Sequence, residues 1–200
     1  MSPTELIHAW YIHDRRTRVL SHHLSTVIPK NFSLLDVGCG DGLLSQRIAR
    51  DRPDITLTGI DVLVREHHHI PVHEFDGQMI PYENRSFDGV MFIDVLHHTA
   101  DPMVLLREAL RVARHALVIK DHTRDGVLAG PTLRLMDRVG NARHGVPLPH
   151  NYWPKRDWLE AFDSLGLRIG SWTTNLRLYP WPVSLAFERS LHFVARLEIE

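Results

Sequence analysis

The 200-residue sequence contains a single cysteine, Cys39. One cysteine cannot form a disulfide within the chain, and it cannot build a cysteine-rich zinc site. The sequence has no run of 18 apolar residues, and it lacks the basic start and apolar block of a signal peptide. We therefore expect a soluble, cytoplasmic protein without membrane insertion.

The sequence also has little net charge, because 23 Lys and Arg residues face 24 Asp and Glu residues. Proteins that coat nucleic acids need a strongly basic surface, so no nucleic-acid partner is expected. Histidine is frequent, and the run at residues 67–69 lies close to His73. Adjacent histidines on an extended segment point to alternate faces, and no spaced carboxylate completes a ligand set. The sequence thus predicts no metal site.

Short apolar segments alternate with amphipathic ones, which predicts strands that alternate with helices. The predicted strands span residues 32–37, 55–60, 72–75, 87–95, 115–120, 167–178 and 191–199. The predicted helices span residues 4–28, 43–50, 62–69, 126–139 and 156–165, with one more beginning at Asp101 and Pro102, and residues 141–154 form a loop. This order predicts an α/β fold: a Rossmann-like, doubly wound, mostly parallel sheet with helices on both faces and an antiparallel C-terminal edge strand.

A glycine-rich turn with the sequence DVGCGDG follows the first predicted strand, at residues 36–42. Glycines allow a sharp turn and a close approach of the backbone to a ligand, and the next helix directs its positive end at the same place. The spacing departs from the dinucleotide motif, because Leu43 stands where the third glycine belongs. Carboxylates beside the turn, such as Asp36, would repel a pyrophosphate and suit a cationic ligand. A nicotinamide oxidoreductase is therefore disfavoured.

Four segments of the chain resemble the class I S-adenosylmethionine-dependent methyltransferases, in particular their small type 11 group. These are LLDVGCGDG at 34–42, GIDV at 59–62, DGQMIPY with SFD at 76–82 and 86–88, and VLHHTADP at 95–102. The resemblance covers about residues 30–121. It implies one domain over 1–200, with an N-terminal helix (1–29), a cofactor-binding core (30–121), a variable substrate-side segment (122–154) and a C-terminal helix with edge strands (155–200).

The resemblance also implies the cofactor, S-adenosyl-L-methionine, and a role for each motif residue. The turn would hold the methionine moiety, the end of the second strand would hold the ribose and one adenine face, the third block would read the adenine edge, and the end of the fourth strand would line the sulfonium. The implied cofactor-binding residues are Asp36, Gly38, Cys39, Gly40, Gly42, Asp61, Val62 with neighbouring Leu63, Asp76, Gly77, Ile93 and Asp94.

An acceptor hydroxyl or acidic carbon would benefit from a base, and histidine is the usual one near neutral pH. We expect His98 and His122 as catalytic candidates and His97, His150, Asn151 and Tyr152 on the substrate side. DNA and RNA amino-methyltransferases carry Asn/Asp-Pro-Pro-Tyr/Phe after the fourth strand, whereas residues 93–96 read IDVL. The expected function is O- or C-methylation of a small molecule. The alternative is a non-catalytic, cofactor-binding module that acts through a partner protein. The oligomeric state stays open.

Overall fold

A computed structural model describes the backbone of residues 3–141 and 150–200 and the side chains of residues 14–139 and 150–200. The strands are β1 (Ser33–Val37), β2 (Thr56–Asp61), β3 (Val72–Glu74), β4 (Phe87–Ile93), β5 (Ala113–His122), β6 (Leu167–Thr173) and β7 (His192–Ile199). The helices are α1 (Pro3–Val27), α2 (Leu43–Asp51), α3 (Pro102–Val112), α4 (Ala129–Asn141), α5 (Lys155–Ser164) and α6 (Ser184–Phe187), with a 3-10 helix at Leu96–His98.

The seven strands form one sheet in the order β3-β2-β1-β4-β5-β7-β6. The pairs from β3 to β5 are parallel, and β1 lies at the centre between β2 and β4. Strands β1, β4 and β5 are buried along most of their length because helices cover both faces of the sheet. The reversal of strand order beside β1 creates a crevice at the carboxyl ends of β1 and β4, where ligands bind in open α/β sheets.

The C-terminal part of the sheet is antiparallel, as the sequence predicts. Strand β7 pairs with β5 on one side and with β6 on the other. The edge strand β6 is therefore joined to the parallel strands only through β7. The predicted Rossmann-like fold class, with its antiparallel C-terminal edge, is confirmed.

One predicted helix is wrong, because residues 62–69 form bends and irregular loop. The Asp61 carboxylate accepts a hydrogen bond from the Leu63 backbone N–H at 2.9 Å, which competes with the first turn of a helix. The apolar residues Val62, Leu63 and Val64 are also consecutive, so they do not form one helical face, and all three are exposed. The sequence did not reveal α6 or the 3-10 helix, which are short. Most of the predicted loop at 141–154 lies outside the described residues.

Helix α1 packs against α2 and reaches the carboxyl end of β4. Arg47 of α2 donates to Asp14 of α1 at 2.7 Å, and Arg16 of α1 forms an ion pair with Asp94 at 2.6 Å. Leu20 and Leu24 bury the other face of α1 against β1 and β4. Among the described helices, none combines the length and hydropathy that a membrane span requires.

Candidate functional site

The glycine turn between β1 and α2 is held in a backbone conformation that requires glycine. Gly38, Gly40 and Gly42 have φ angles of 74°, 61° and 73°. A Cβ atom on Gly38 would lie 2.6 Å from a methyl group of Val95, and one on Gly42 would lie 2.4 Å from Ile70. A Cβ on Gly40 would meet only the end of the Arg65 side chain, at 3.6 Å, so the space above Gly40 is open to a ligand.

Asp61, at the end of β2, joins this turn to the next strand. One carboxylate oxygen accepts the Gly40 N–H at 2.7 Å, and the other accepts the Leu63 N–H at 2.9 Å. The side chain is only half-buried, so its remaining lone pairs can meet a ligand. This arrangement fits a carboxylate that accepts hydrogen bonds from a ribose diol, although that role stays a prediction.

Apolar side chains and a second carboxylate surround the opening beside Asp61. Val62, Leu63 and Met79 are exposed by 53%, 57% and 64%. Val62 faces the backbone of Gly77, where a Cβ would lie 3.0 Å from its Cγ1. The Asp76 carboxylate accepts the N–H groups of residues 78 and 79, each at 2.8 Å, and these bonds lower its pKa. Uncovered apolar side chains next to hydrogen-bonding groups suit an adenine ring.

Asp36 lies beneath the turn, with only 3% of its surface exposed. Its carboxylate accepts a hydrogen bond from the Ser45 hydroxyl at 2.5 Å. Burial raises the pKa of Asp36 to about 7, against the opposing effect of the Ser45 hydrogen bond and with a further increase from Asp61. The Asp36 carboxylate is therefore enclosed, and its contact with the ammonium of the methionine moiety stays a prediction.

Cys39 also supports the turn from within. Its half-buried sulfur occupies the space beside Gly59 of β2, where a Cβ would lie 2.4 Å away. Burial, followed by the charges of Asp36 and Asp61, raises the pKa of the thiol. Cys39 is therefore protonated near neutral pH, and it contributes packing to the predicted methionine-binding turn.

Asp94 follows β4 and forms the centre of a partly buried charged group. It has a φ angle of 58°, and its carboxylate contacts Lys120, Arg16 at 2.6 Å and the His122 ring at 3.4 Å. The Lys120 side chain is fully buried. Burial alone would raise the pKa of Asp94. The positive charge of Lys120, and to a smaller extent that of Arg16, instead holds the pKa well below its usual range. The predicted place of Asp94 and Ile93 at the sulfonium end stays a prediction.

His97 and His98 lie on the 3-10 helix that follows β4. The His97 ring is buried, with Nδ1 located 2.6 Å from Asp121 Oδ1. Burial lowers the pKa of His97, but Asp121, Asp137 and Asp94 together raise it to about 10. The half-buried ring of His98 behaves oppositely, because burial and the charge of His97 lower its pKa.

His122, the second catalytic candidate, is enclosed at the end of β5. Its Nδ1 lies 3.1 Å from the His192 Nδ1, and its Nε2 lies 3.4 Å from Asp94. Burial, then Lys120 and then His97, lower its pKa far below the usual range. The structure thus places His122 among buried side chains, whereas His98 is partly exposed.

Of the three residues predicted on the substrate side, Asn151 and Tyr152 contact the same 3-10 helix, and His150 lies beside Tyr152 and Asp137. Asn151 donates from its backbone N–H to the His97 carbonyl at 3.1 Å and from its side chain to two carbonyls that follow. The Tyr152 ring stacks on His97 with 5.3 Å between ring centroids. His150 Nδ1 lies 3.6 Å from Asp137. Asn151 and Tyr152 thus lie beside His97, and the contact of all three residues with a substrate stays a prediction.

Sequence reasoning missed several members of these clusters: Arg16, Lys120, Asp121, Asp137 and His192. A signal was present in β5, where a lysine, an aspartate and a histidine follow one another at the end of an apolar segment. Charged residues in a strand that is covered on both faces need partners, and those partners lie far away along the chain.

A family model described as a methyltransferase domain matches residues 11–171. The chain belongs to this methyltransferase family. The resemblance to class I methyltransferases of the type 11-like group is confirmed, as is the family's cofactor, S-adenosylmethionine. The cofactor fits the site on two observations: the open space above Gly40 and the uncovered apolar side chains between Asp61 and Asp76.

Half of the chain is similar to each of two curated relatives. It is 34% identical to a ubiquinone biosynthesis O-methyltransferase of Cereibacter sphaeroides, of which the match covers 46%. It is 30% identical to the 27-O-demethylrifamycin SV methyltransferase of Amycolatopsis mediterranei, of which the match covers 42%. The matched part of the chain thus spans less than half the length of these relatives.

Solved structures share the fold of the methyltransferase domain. A Thermotoga maritima structure described as a SAM-dependent methyltransferase, possible histamine N-methyltransferase, has a TM-score of 0.68 at 15% identity, covering 98% of this chain and 96% of that one. A second similar structure is a chain from the complex between the Haloferax volcanii Trm112 methyltransferase activator and the putative methyltransferase. It also has a TM-score of 0.68, at 14% identity, and the match covers 94% of this chain and 91% of that one.

Proposed function

We propose that the methyltransferase domain transfers the methyl group of S-adenosylmethionine to a hydroxyl oxygen of a small molecule. The observation that carries the proposal is the arrangement at one end of the sheet. The open glycine turn lies at the same edge as three histidines, His97, His98 and His122, which follow β4 or end β5. The two curated relatives, whose names describe methylation of oxygen, support oxygen as the acceptor atom.

S-adenosylmethionine, when bound, supplies a methyl group that its sulfonium already activates. The chain then has to bind the cofactor, align the acceptor and exclude water. In this proposal the glycine turn and Asp61 hold the methionine and ribose parts, and Asp76 with Val62 holds the adenine. Asp36 and Cys39 support the turn from below.

The acceptor oxygen loses its proton as the bond to carbon forms and the bond from carbon to sulfur breaks. We assign acceptance of this proton to the ring of His98, because the ring is partly exposed and its lowered pKa keeps it neutral near pH 7. His122 is enclosed by His192 and Asp94, so we assign it to support of the charged group at the end of β5. His150 and Tyr152 would line the acceptor side.

The test combines cofactor binding with methyl transfer, using the full chain. Calorimetry with S-adenosylmethionine should show binding, and cofactor with a labelled methyl group should label hydroxylated aromatic compounds or polyketides in a mixed panel. His98→Ala should keep the cofactor affinity and lower the methylation rate by about 10²-fold or more. His68→Ala, a substitution of an exposed histidine, serves as the control.

The outcomes separate the competing functions. Binding without labelling of any acceptor would favour the non-catalytic module that acts through a partner. Loss of cofactor affinity in His98→Ala would mean that this residue supports the cofactor site instead of the acceptor. Binding of NADH with no binding of S-adenosylmethionine would overturn the proposal.

A further inference from the structure

Two buried ring nitrogens of the 3-10 helix, Nε2 of His97 and Nδ1 of His98, lack a well-formed hydrogen bond among the described residues. Nε2 of His97 faces Oδ1 of Asp137, but at 3.4 Å. The Asp137 carboxylate of α4 is also buried, and one ligand atom from each of these three residues lies within 4.8 Å of the others. Buried polar atoms without partners are costly, which indicates that this group of side chains serves a ligand.

The donor set matches that of a divalent transition metal. Two neutral imidazole nitrogens and one carboxylate oxygen form the protein part of many catalytic zinc sites, which leave a further position open. Bond lengths of about 2.0–2.1 Å in a tetrahedral site place ligand atoms about 3.3 Å apart. His97 Nε2 and Asp137 Oδ1 are 3.4 Å apart, so this pair already has the required spacing.

Two neighbouring residues orient the side chains of His97 and Asp137 in the way that ligand side chains are oriented in metal sites. Asp121 Oδ1 lies 2.6 Å from Nδ1 of His97, which leaves Nε2 directed at the cluster. Tyr152 donates its hydroxyl to Oδ2 of Asp137, which leaves Oδ1 towards His97. A carboxylate behind the ligating histidine and a hydrogen bond to the ligating carboxylate are regular features of the shell around bound metals.

A second set of side chains, Asp94, His97 and His122, has similar spacing but the wrong surroundings for a cation. Its carboxylate already contacts Lys120 and Arg16, and these positive charges would repel a metal ion. Nδ1 of His122 contacts His192, which fixes that ring within the charged group.

We propose that His97 Nε2, His98 Nδ1 and Asp137 bind a divalent transition-metal ion of the zinc class. The ion replaces any proton on Nε2 of His97, and Asp121 and Tyr152 act as positioning residues. Its role rests on the proposed function: with the ion bound, the open coordination position would hold the acceptor's hydroxyl oxygen and lower its pKa. His98 would then act on the hydroxyl through the ion, and the proton would pass to water instead of to the ring. Binding of the ion itself depends only on these side chains.

The test measures metal binding to the full chain without any acceptor. After treatment with a chelator, the protein is titrated with Zn²⁺ by calorimetry and with Co²⁺ by visible absorption. We expect about one equivalent to bind at this site, with the absorption of a four- or five-coordinate Co²⁺ ion. His98→Ala and Asp137→Asn should weaken binding by about tenfold or more, and Tyr152→Phe should weaken it by about tenfold.

A control addresses the exposed histidines at residues 67–69, which could bind metal ions adventitiously. The triple variant His67→Ala, His68→Ala, His69→Ala should retain the bound equivalent. The proposal is overturned if neither ion binds, or if the triple variant loses binding while folded His98→Ala and Asp137→Asn, checked by circular dichroism, retain it. S-adenosylmethionine affinity, measured in parallel, reports on the proposed function separately.

Discussion

The ion pair between Asp94, whose side chain is 22% exposed, and the fully buried Lys120 provides the sharpest test of how this end of the sheet is stabilised. Asp94→Asn keeps the shape of the side chain and removes its charge. The fully buried Lys120 ammonium would then lose the negative charge that neutralises it. Arg16 would lose its ion-pair partner as well. Removing one member of a buried pair typically costs about 3–5 kcal/mol. For a chain of this length, that cost corresponds to a fall in Tm of roughly 6–20 °C.

A matched substitution in α1 distinguishes burial from charge alone. Asp14 pairs with Arg47 at 2.7 Å, but about a third of each side chain is exposed. Asp14→Asn should therefore cost at most about 1 kcal/mol. Differential scanning calorimetry of both variants at pH 7 compares the two pairs directly. Equal shifts in Tm would refute the reasoning, as would an Asp94→Asn shift of less than about 3 °C.

The pH dependence of Asp94→Asn supplies an independent check. Burial already lowers the pKa of Lys120, against the opposing effect of Asp94, so loss of this carboxylate lowers the pKa further. The unfolded chain then binds more protons than the folded variant between the two pKa values of the lysine, and stability rises with pH there. The difference in unfolding free energy between parent and variant should narrow as the pH increases from 7 towards 10. A difference that widens would contradict this assignment.

Four further substitutions test the cofactor end of the site. Asp61→Ala should weaken S-adenosylmethionine binding by about 1–3 kcal/mol, or roughly 5–150-fold, through lost hydrogen bonds; unchanged affinity in calorimetry would remove the predicted ribose contact. Gly38→Ala should lower the free energy of unfolding by about 2–4 kcal/mol, because the new Cβ clashes with Val95. Gly40→Ala should lower it by only about 1 kcal/mol and should mainly reduce cofactor affinity. If thermal unfolding showed Gly40→Ala to be the less stable variant, the geometry of the turn would be contradicted. Asp36 binds its proton more tightly in the folded chain, with a pKa of about 7, so it should make parent stability fall by up to about 4 kcal/mol from pH 4 to pH 7. Asp36→Asn should lack that part of the fall, and parallel urea-unfolding profiles for the two proteins would argue against the raised pKa.

The sequence was sufficient to predict the parallel sheet and the glycine turn because both depend on local patterns. The apolar segments have strand lengths, and glycine alone tolerates the positive φ angle with the close contact found at Gly38. The position of β7 between β5 and β6 was harder to predict, because alternation identifies a strand without specifying its neighbours. The helix predicted at 62–69 failed because one side chain, Asp61, bonds to the backbone there.

The clusters at the carboxyl end could not be found by spacing. Asp94 meets Lys120 and Arg16, which lie 26 residues after it and 78 residues before it. His97 and Asp137 likewise come from different elements and meet only when α4 packs beside the 3-10 helix. The histidines that are close in the sequence lie at 67–69, whereas the proposed metal ligands come from two elements, the 3-10 helix and α4.

The place of β7 inside the sheet also affects how this chain is made. Lys120 is enclosed partly by His192, which is 72 residues further along the chain. At a synthesis rate of about 5–20 residues per second, the lysine leaves the ribosome roughly 4–14 s before the strand that completes its surroundings. During that interval the edge of β5 is unpaired, so the nascent chain exposes an open strand that other chains could join.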